Sequence, residues 1–383
     1  MTNQVEYGNE ASALGALRLR WLALAVTGAG LVVIGTYGLK RIESFWYAAQ
    51  WGVQAALVLG WECWTVWGLL GENRRAGEER LLSSLGAGNI LSLARGVIIA
   101  LLAGFLFLPR PEGGWAWLPA TLYILSDFTD FFDGYAARKS NHVTRLGEKL
   151  DMNHDSIGVL TATLLAFQYG VAPWWYAIFG FARYFFVFGL WQRRRRGLPV
   201  FDLPPNPARR VFAALQMGLV TGLLFPIFEP PATTVAATAF MLPFLTGFVY
   251  DWLHVSGRMG QGDSASSEPW ARLWKRMRDD MPVVVRLGLS AGLLALTVPA
   301  ASRLQAPWGI LEFICMAAIF MGWMARVFSV TGLLLLGWRF SLFEPTALMW
   351  ALLLGYTAII FLGPGRRALW GPEEWFVRNR AGE

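Results

Sequence analysis

The chain has 383 residues, of which 55% are hydrophobic and only 15% charged, with a formal net charge of +7. Ordinary soluble domains carry roughly 25% charged residues, so this balance argues against a freely soluble domain. The positive charge lies mostly on arginines outside the apolar runs, which reads as membrane topology and contact with anionic lipid rather than nucleic-acid binding.

Taken in order, a polar start is followed by apolar runs at about 21–38 and 47–70, each long enough to cross hydrocarbon. Lys40 and Arg41 follow the first run without a small-residue cleavage site, which makes it a span rather than a leader. Residues 71–89, GENRRAGEERLLSSLGAGN, form a charged connector. Leu81, Leu82 and Leu85 give it the apolar side of a short interfacial helix; the alternative is a solvated connection. Six further spans fall at about 90–108, 115–137, 149–169, 174–190, 211–228 and 235–253. The loops with Arg138 and Arg145, with 193–196 plus Arg209 and Arg210, and from Arg258 onward are rich in arginine, whereas the loops around 109–114, 169–173 and 228–234 carry no excess of positive charge. The positive-inside rule therefore puts the arginine-rich loops in the cytoplasm.

Residues 257–267, GRMGQGDSASS, read as a flexible joint. Residues 270–281 are basic, with Trp270 and Trp274 at i, i+4, which suits a helix lying on an anionic surface. Three or four more spans follow at about 283–300, 310–326, 327–338 and 347–362, the third short enough to be re-entrant or continuous with its neighbour. Glu62 and Glu312 sit inside apolar runs and are expected to hydrogen-bond within the bundle. Cys63 and Cys315 show no spacing pattern and read as buried free thiols. The 20 tryptophans suit belts at both interfaces.

Within this chain the segment 130–155, DFFDGYAARKSNHVTRLGEKLDMNHD, stands out. Asp130, Asp133, Gly134 and Ala137 recur at i, i+3, i+4 and i+7, and Gly147, Asp151 and Asp155 at i, i+4 and i+8. Each set shares one helical face. The eight residues 139–146 between Arg138 and Gly147 allow a turn between antiparallel helices, so both faces point at one gap. Oxygen-only ligands suit Mg²⁺ or Mn²⁺, and four carboxylates suit two ions bridging a pyrophosphate. The glycines admit a bulky ligand to the backbone, and Arg138 offers a cationic fork for phosphate. Hard ions, a phosphate-sized gap and a membrane setting suggest phosphoryl-group transfer involving a lipid. A cation or proton pathway of a transporter also needs buried acids, but it leaves Gly134, Gly147 and Arg138 unexplained. Asp127, His142 and His154 flank the site and are read as structural.

The pattern D-x2-D-G-x2-A-R-x8-G-x3-D-x3-D, filled at all eight fixed positions, resembles the signature of the CDP-alcohol phosphatidyltransferases. The segment Asn89-Ile-Leu-Ser-Leu-Ala-Arg95 is similar to the start of that family's first core helix. The resemblance covers roughly 86–253 and implies an all-α, polytopic membrane bundle: a six-helix catalytic core with extra N- and C-terminal transmembrane helices. It implies two divalent ions, Mg²⁺ or Mn²⁺, on Asp130, Asp133, Asp151 and Asp155, with Asp155 also accepting the acceptor hydroxyl's proton. Asn89, Gly134, Ala137, Arg138 and Gly147 would border the CDP donor. Arg183, Arg193, Arg209 and Arg210 are candidates for an acceptor phosphate.

The implied organisation is an N-terminal extension at 1–71, the catalytic core at 72–256, a linker and interfacial helix at 257–281, and a membrane block at 282–383. The implied reaction moves a phosphatidyl group from a CDP-linked lipid such as CDP-diacylglycerol to an alcohol, preferably a phosphorylated polyol, and releases CMP into the cytoplasm. The alternative within the fold transfers a CDP-linked head group to diacylglycerol. Two departures bear on substrate: Ser156 follows the last motif aspartate, and Gly88 replaces a usual proline. Partners are the donor, the acceptor and membrane lipids, not nucleic acid; homodimers are common among such enzymes.

Overall fold

A computed structural model of the chain describes residues 2–203, 207–258, 267–300 and 306–371. Among these residues there are twelve α-helices and no β-strand. They are α1 (Thr2–Leu39), α2 (Phe45–Leu69), α3 (Gly86–Ala103), α4 (Leu118–Lys139), α5 (Arg145–Gln168), α6 (Ala177–Arg195), α7 (Pro207–Leu224), α8 (Ala232–Val255), α9 (Ser267–Ala300), α10 (Ala306–Met321), α11 (Ala325–Leu342) and α12 (Ala347–Leu362). Six of them, α1, α2, α3, α8, α9 and α11, are long and apolar enough to cross a bilayer. The chain is an integral, multi-pass, all-α membrane protein.

Capping fixes several helix starts. Ser44 Oγ accepts from Tyr47 N–H ahead of α2, Thr144 Oγ1 from Gly147 N–H ahead of α5, and Thr346 Oγ1 from Met349 N–H ahead of α12. Each bond satisfies a backbone donor that the first helical turn would leave unpaired.

The chain divides into two compact units. The first comprises Met1–Gly170, Ala177–Phe181 and Val220–Pro226. In it α3 is central, packed against α2, α4 and α5, while α1 lies on α2. A buried apolar cluster joins α1 (Ala13, Leu17), α2 (Val66), the connector (Leu70, Leu81, Leu85), α3 (Leu93) and α5 (Leu146, Leu150). The connector therefore departs from the expected interfacial helix. Leu81 and Leu85 are buried against protein and Leu82 is half-buried, and the carbonyls of Leu82 and Ser84 are taken by the Asn73 amide, at 3.0 and 2.8 Å, instead of by a helical ladder. The α1 helix likewise begins well before the apolar run that announces it, because a polar stretch ahead of a span can continue its helix.

The second unit comprises Val171–Tyr176, Ala182–Leu219 and Ile227–Glu383. Here α8 packs on α11 and α12, α9 on α10 and α12, and α10 on α11. Close approaches rest on small residues: Gly337 of α11 backs onto Ala232 of α8, and Gly355 of α12 onto Leu289 of α9. The expected break between an interfacial helix and a span near residue 281 is absent, since α9 runs unbroken from Ser267 to Ala300. Residues 259–266 of the expected joint lie outside the described residues. The short third span of this block is neither re-entrant nor continuous with its neighbour. It is the 18-residue helix α11, separated from α10 by positive φ at Gly322 (69°) and Met324 (44°).

Among the described residues of this unit, the buried charged side chains Arg286, Glu312 and Arg339 all have partners. Arg286 donates to the carbonyls of Ile319, Phe320 and Pro364 at 2.9, 2.7 and 2.8 Å, capping the end of α10. Arg339 meets Glu312 through two parallel hydrogen bonds of 2.5 and 2.6 Å, and Thr297 Oγ1 donates to the same carboxylate at 3.0 Å. Glu62 and Glu312 both hydrogen-bond inside their bundles, as expected.

Candidate active site

Three helices of the first unit, α3, α4 and α5, build the site. One carboxylate oxygen from each of Asp130 (α4), Asp151 and Asp155 (α5) falls within 4.8 Å of the others. The helical spacing accounts for this: residues four apart on α5 share a face, and the α4–α5 turn brings Asp130 across from them. Asp133 is buried and turned toward α3, where Ser92 Oγ donates to its Oδ2 at 2.7 Å. Three residues on a helix advance 300°, so Asp133 sits about 60° around from Asp130 and meets a different neighbour.

Arg95 of α3 lies at the centre of the cluster. Its side chain is 1% exposed, and its guanidinium contacts Asp130 at 2.7 Å, Asp151 at 3.2 Å and Asp155 at 2.5 Å, with Nε on Ser126 Oγ at 3.4 Å. A buried cation in a membrane helix needs such partners. Three carboxyl groups face one guanidinium, so Arg95 can neutralise only one of them. The rest call for protons or further cations.

The donor set fits a hard divalent ion. All ligands are carboxylate oxygens, and opposite ligands of an octahedral Mg²⁺ lie about 4.2 Å apart at its usual bond lengths. The spread of these three oxygens is compatible with that span.

Behind the cluster, Asn89 of α3 meets the start of α5. Asn89 Nδ2 donates to Thr144 Oγ1 and to Asn73 Oδ1, both at 3.0 Å, and all three residues are buried. Gly147 is required here, because a Cβ would stand 2.7 Å from Asn89 Oδ1. Gly88 plays the same part between α3 and α4: a Cβ there would lie 2.7 Å from that of Ala137 and 2.9 Å from the Asp133 carbonyl. The exposed Arg138 folds back over Gly134, where a Cβ would meet Nη1 at 3.1 Å. Asn89, Gly147, Ala137, Gly134 and Arg138 thus cluster at the α3, α4 and α5 ends of the same unit.

The flanking groups have structural partners. His154 Nε2 pairs with Glu62 Oε2 of α2 at 3.1 Å, both side chains buried. His142 Nε2 contacts the Ser84 carbonyl at 3.0 Å, and Asp127 accepts from Thr221 Oγ1 at 2.9 Å. Ser156, the departure after the last motif aspartate, is buried and donates back to the Met152 carbonyl at 2.8 Å. The arginines considered for an acceptor belong to the second unit. Arg183 is exposed on α6, whereas Arg193 donates to the Pro199 and Ser256 carbonyls at 2.8 and 3.1 Å. Arg209 and Arg210 lie in α7, with side chains outside the described set.

Arg95 closes the segment 89–95, yet nothing in that segment alone assigns it to the aspartate cluster. Its partners are 35, 56 and 60 residues away, beyond any local pattern. The signal available was chemical: an arginine in an apolar run whose core offers one acidic cluster.

The profile of the CDP-alcohol phosphatidyltransferase family matches residues 86–253. A CDP-diacylglycerol--glycerol-3-phosphate 3-phosphatidyltransferase of Rickettsia bellii is 31% identical over 129 residues, covering 34% of this chain and 69% of the relative. The chain belongs to the CDP-alcohol phosphatidyltransferase family. An enzyme of the same description from Bacillus subtilis is 42% identical over 71 residues, 18% of this chain and 37% of the relative. A putative cardiolipin synthase of Mycobacterium tuberculosis is 30% identical over 118 residues, 29% of this chain and 54% of the relative. The chain therefore spans about a third to a half of the length of these two. No solved structure matches the chain. The fixed positions of the aspartate motif fall in α4 and α5, inside the region matched by the family.

Proposed function

We propose that this CDP-alcohol phosphatidyltransferase moves a phosphatidyl group from a CDP-linked lipid to a phosphorylated polyol and releases CMP. The observation that carries the reading is the convergence of Asp130, Asp151 and Asp155 on the single cation Arg95, a cluster with more acids than bases, beside the Asn89–Gly147 and Gly134–Arg138 surfaces. Residues 72–256 form the catalytic core. Asp130, Asp133, Asp151 and Asp155 would hold Mg²⁺ or Mn²⁺, two ions in all, and such ions when bound neutralise the donor pyrophosphate and the departing CMP. Asp155 accepts the proton of the acceptor hydroxyl while that oxygen bonds to the phosphorus distal to cytidine. The bond from that phosphorus to the bridging oxygen breaks, and CMP leaves with the electron pair. Asn89, Gly134, Ala137, Arg138 and Gly147 border the CDP group.

The relatives' names make CDP-diacylglycerol the first donor and glycerol 3-phosphate the first acceptor to test. Arg183, with its exposed guanidinium, leads the candidates for the acceptor phosphate, followed by Arg209 and Arg210. Arg193 ranks last because backbone carbonyls already occupy it. The arginine-rich loops support a cytoplasmic site, where water-soluble acceptors would be available.

The test is CMP release by the purified protein with Mn²⁺ or Mg²⁺, CDP-diacylglycerol, and a panel of glycerol phosphate, inositol phosphate and neutral alcohols. The expected result is release that depends on one phosphorylated acceptor and disappears in Asp151→Asn. Release with a neutral alcohol alone overturns the acceptor assignment. Release only from a CDP-linked head group in the presence of diacylglycerol reverses donor and acceptor.

A further inference from the structure

Asn73 lies in the connector, before the region that matches the family, and it is 0% exposed. Every polar group of this residue is engaged. Its N–H donates to Leu70 O at 3.2 Å, and its carbonyl accepts from Leu82 N–H at 2.9 Å. Its Nδ2 donates to the carbonyls of Leu82 and Ser84. Those two carbonyls can only accept, so they fix the Asn73 amide with nitrogen toward the connector and oxygen toward α3. The oxygen receives Asn89 Nδ2 at 3.0 Å. Asn89 must therefore present nitrogen on that side, where Nδ2 also lies 3.0 Å from Thr144 Oγ1, and its own oxygen, 3.3 Å from the same hydroxyl, is left toward the bare edge of Gly147. A chain of forced choices runs from two backbone carbonyls to the direction of one carbonyl oxygen in the donor cradle.

We infer that Asn73 is a positioning residue for the donor: it sets the amide orientation of Asn89 and thereby directs the Asn89 carbonyl, a hydrogen-bond acceptor, toward an N–H or O–H group of the CDP moiety. This rests on the reading that Asn89 borders the donor. Its consequence is that the connector ahead of the family-matched region contributes to donor recognition, not merely to joining helices. Without the Asn73 oxygen, the Asn89 amide is free to turn over and offer a donor where an acceptor is needed.

The experiment is a double-mutant cycle on the KM for CDP-diacylglycerol, read as CMP release, in the full-length protein with Asn73→Ala, Asn89→Ala and both together. Each single change is expected to raise the donor KM roughly tenfold, the order expected for one lost hydrogen bond to the ligand. The kcat at saturating donor stays within about twofold, as when only binding shared by ground and transition states is lost. The double variant should match Asn89→Ala and not show the product of the two effects. Asn73→Ser guards against misfolding: its hydroxyl can still serve a connector carbonyl, but it withdraws the oxygen from Asn89, and the same KM rise is expected.

Effects that multiply, or a kcat that falls with KM unchanged, overturn the inference and leave Asn73 a structural residue. An unchanged donor KM in Asn73→Ala and Asn73→Ser, with a raised one in Asn89→Ala, also overturns it while sparing the reading of Asn89. An unchanged KM in Asn89→Ala removes that reading itself.

Discussion

Among the described residues, two buried arginine–carboxylate clusters differ in their balance of charge. In the second unit Arg339 faces one carboxylate, Glu312, and both side chains are sealed at 2% and 3% exposure. The pair is balanced, bidentate and supplemented by Thr297. In the first unit Arg95 is equally buried but faces three carboxylates, two of them open at 47% and 43%. A closed, neutral pair holds helices together. An open cluster with more acids than bases is arranged to receive cations from outside. The count of charges and the exposure of the acids separate scaffold from site, where burial of the arginine alone would not.

The largest expected difference is in turnover. Asp151→Asn should lower CMP release per folded molecule by roughly 10³-fold, the scale of removing a group that stabilises transition-state charge. Glu312→Gln should leave it within about twofold, because the described partners of Glu312 are Arg339 and Thr297 and it does not belong to the aspartate cluster. Comparable losses from both would erase the distinction. Stability comes next. Arg339→Ala strands a buried carboxylate and should cost about 3–5 kcal/mol in a detergent unfolding assay, with no recovery on adding Mn²⁺. The paired change Arg339→Met with Glu312→Leu should recover most of that loss, since apolar packing can replace a balanced pair.

Arg95→Ala sharpens the contrast from the other side. Its unfolding should become metal-dependent, with Mn²⁺ at about 100 times its Kd restoring about 2.7 kcal/mol. Wild type should show a smaller metal-dependent rise in Tm, because Arg95 competes for the same carboxylates. A rise no larger in the variant would mean that Arg95 does not occupy the cation site. The smallest effect is expected at Ser92→Ala. It removes one hydrogen bond to Asp133, worth about 1.5 kcal/mol for a charged acceptor, and should reduce turnover about tenfold.

The aspartate faces were legible in the sequence because they depend on spacing within one helix and a short turn. Asp130, Asp151 and Asp155 meet as their periodicity requires. The same arithmetic, carried to the angle, would have separated Asp133 from Asp130. Contacts between distant helices were less accessible. Arg95 could have been matched to the acids by charge balance, but Asn73 sits within GENRRAGEER, whose polarity reads as solvent, and nothing local marks it as fully buried. The early start of α1 and the unbroken course of α9 depart from the hydropathy pattern for a related reason. Hydropathy reports where hydrocarbon begins, whereas a helical ladder continues through polar residues until the backbone is interrupted.

Gly96 shapes how portable this core is. With no side chain there, α3 allows His154 of α5 to reach Glu62 of α2; a Cβ would stand 2.8 Å from His154 Nε2. A graft of residues 86–253 onto another membrane anchor would leave an imidazole facing acyl chains where a carboxylate had been. Such a transplant must either bring an acceptor at the level of residue 62 or exchange His154 for an apolar side chain that fills the opening at Gly96.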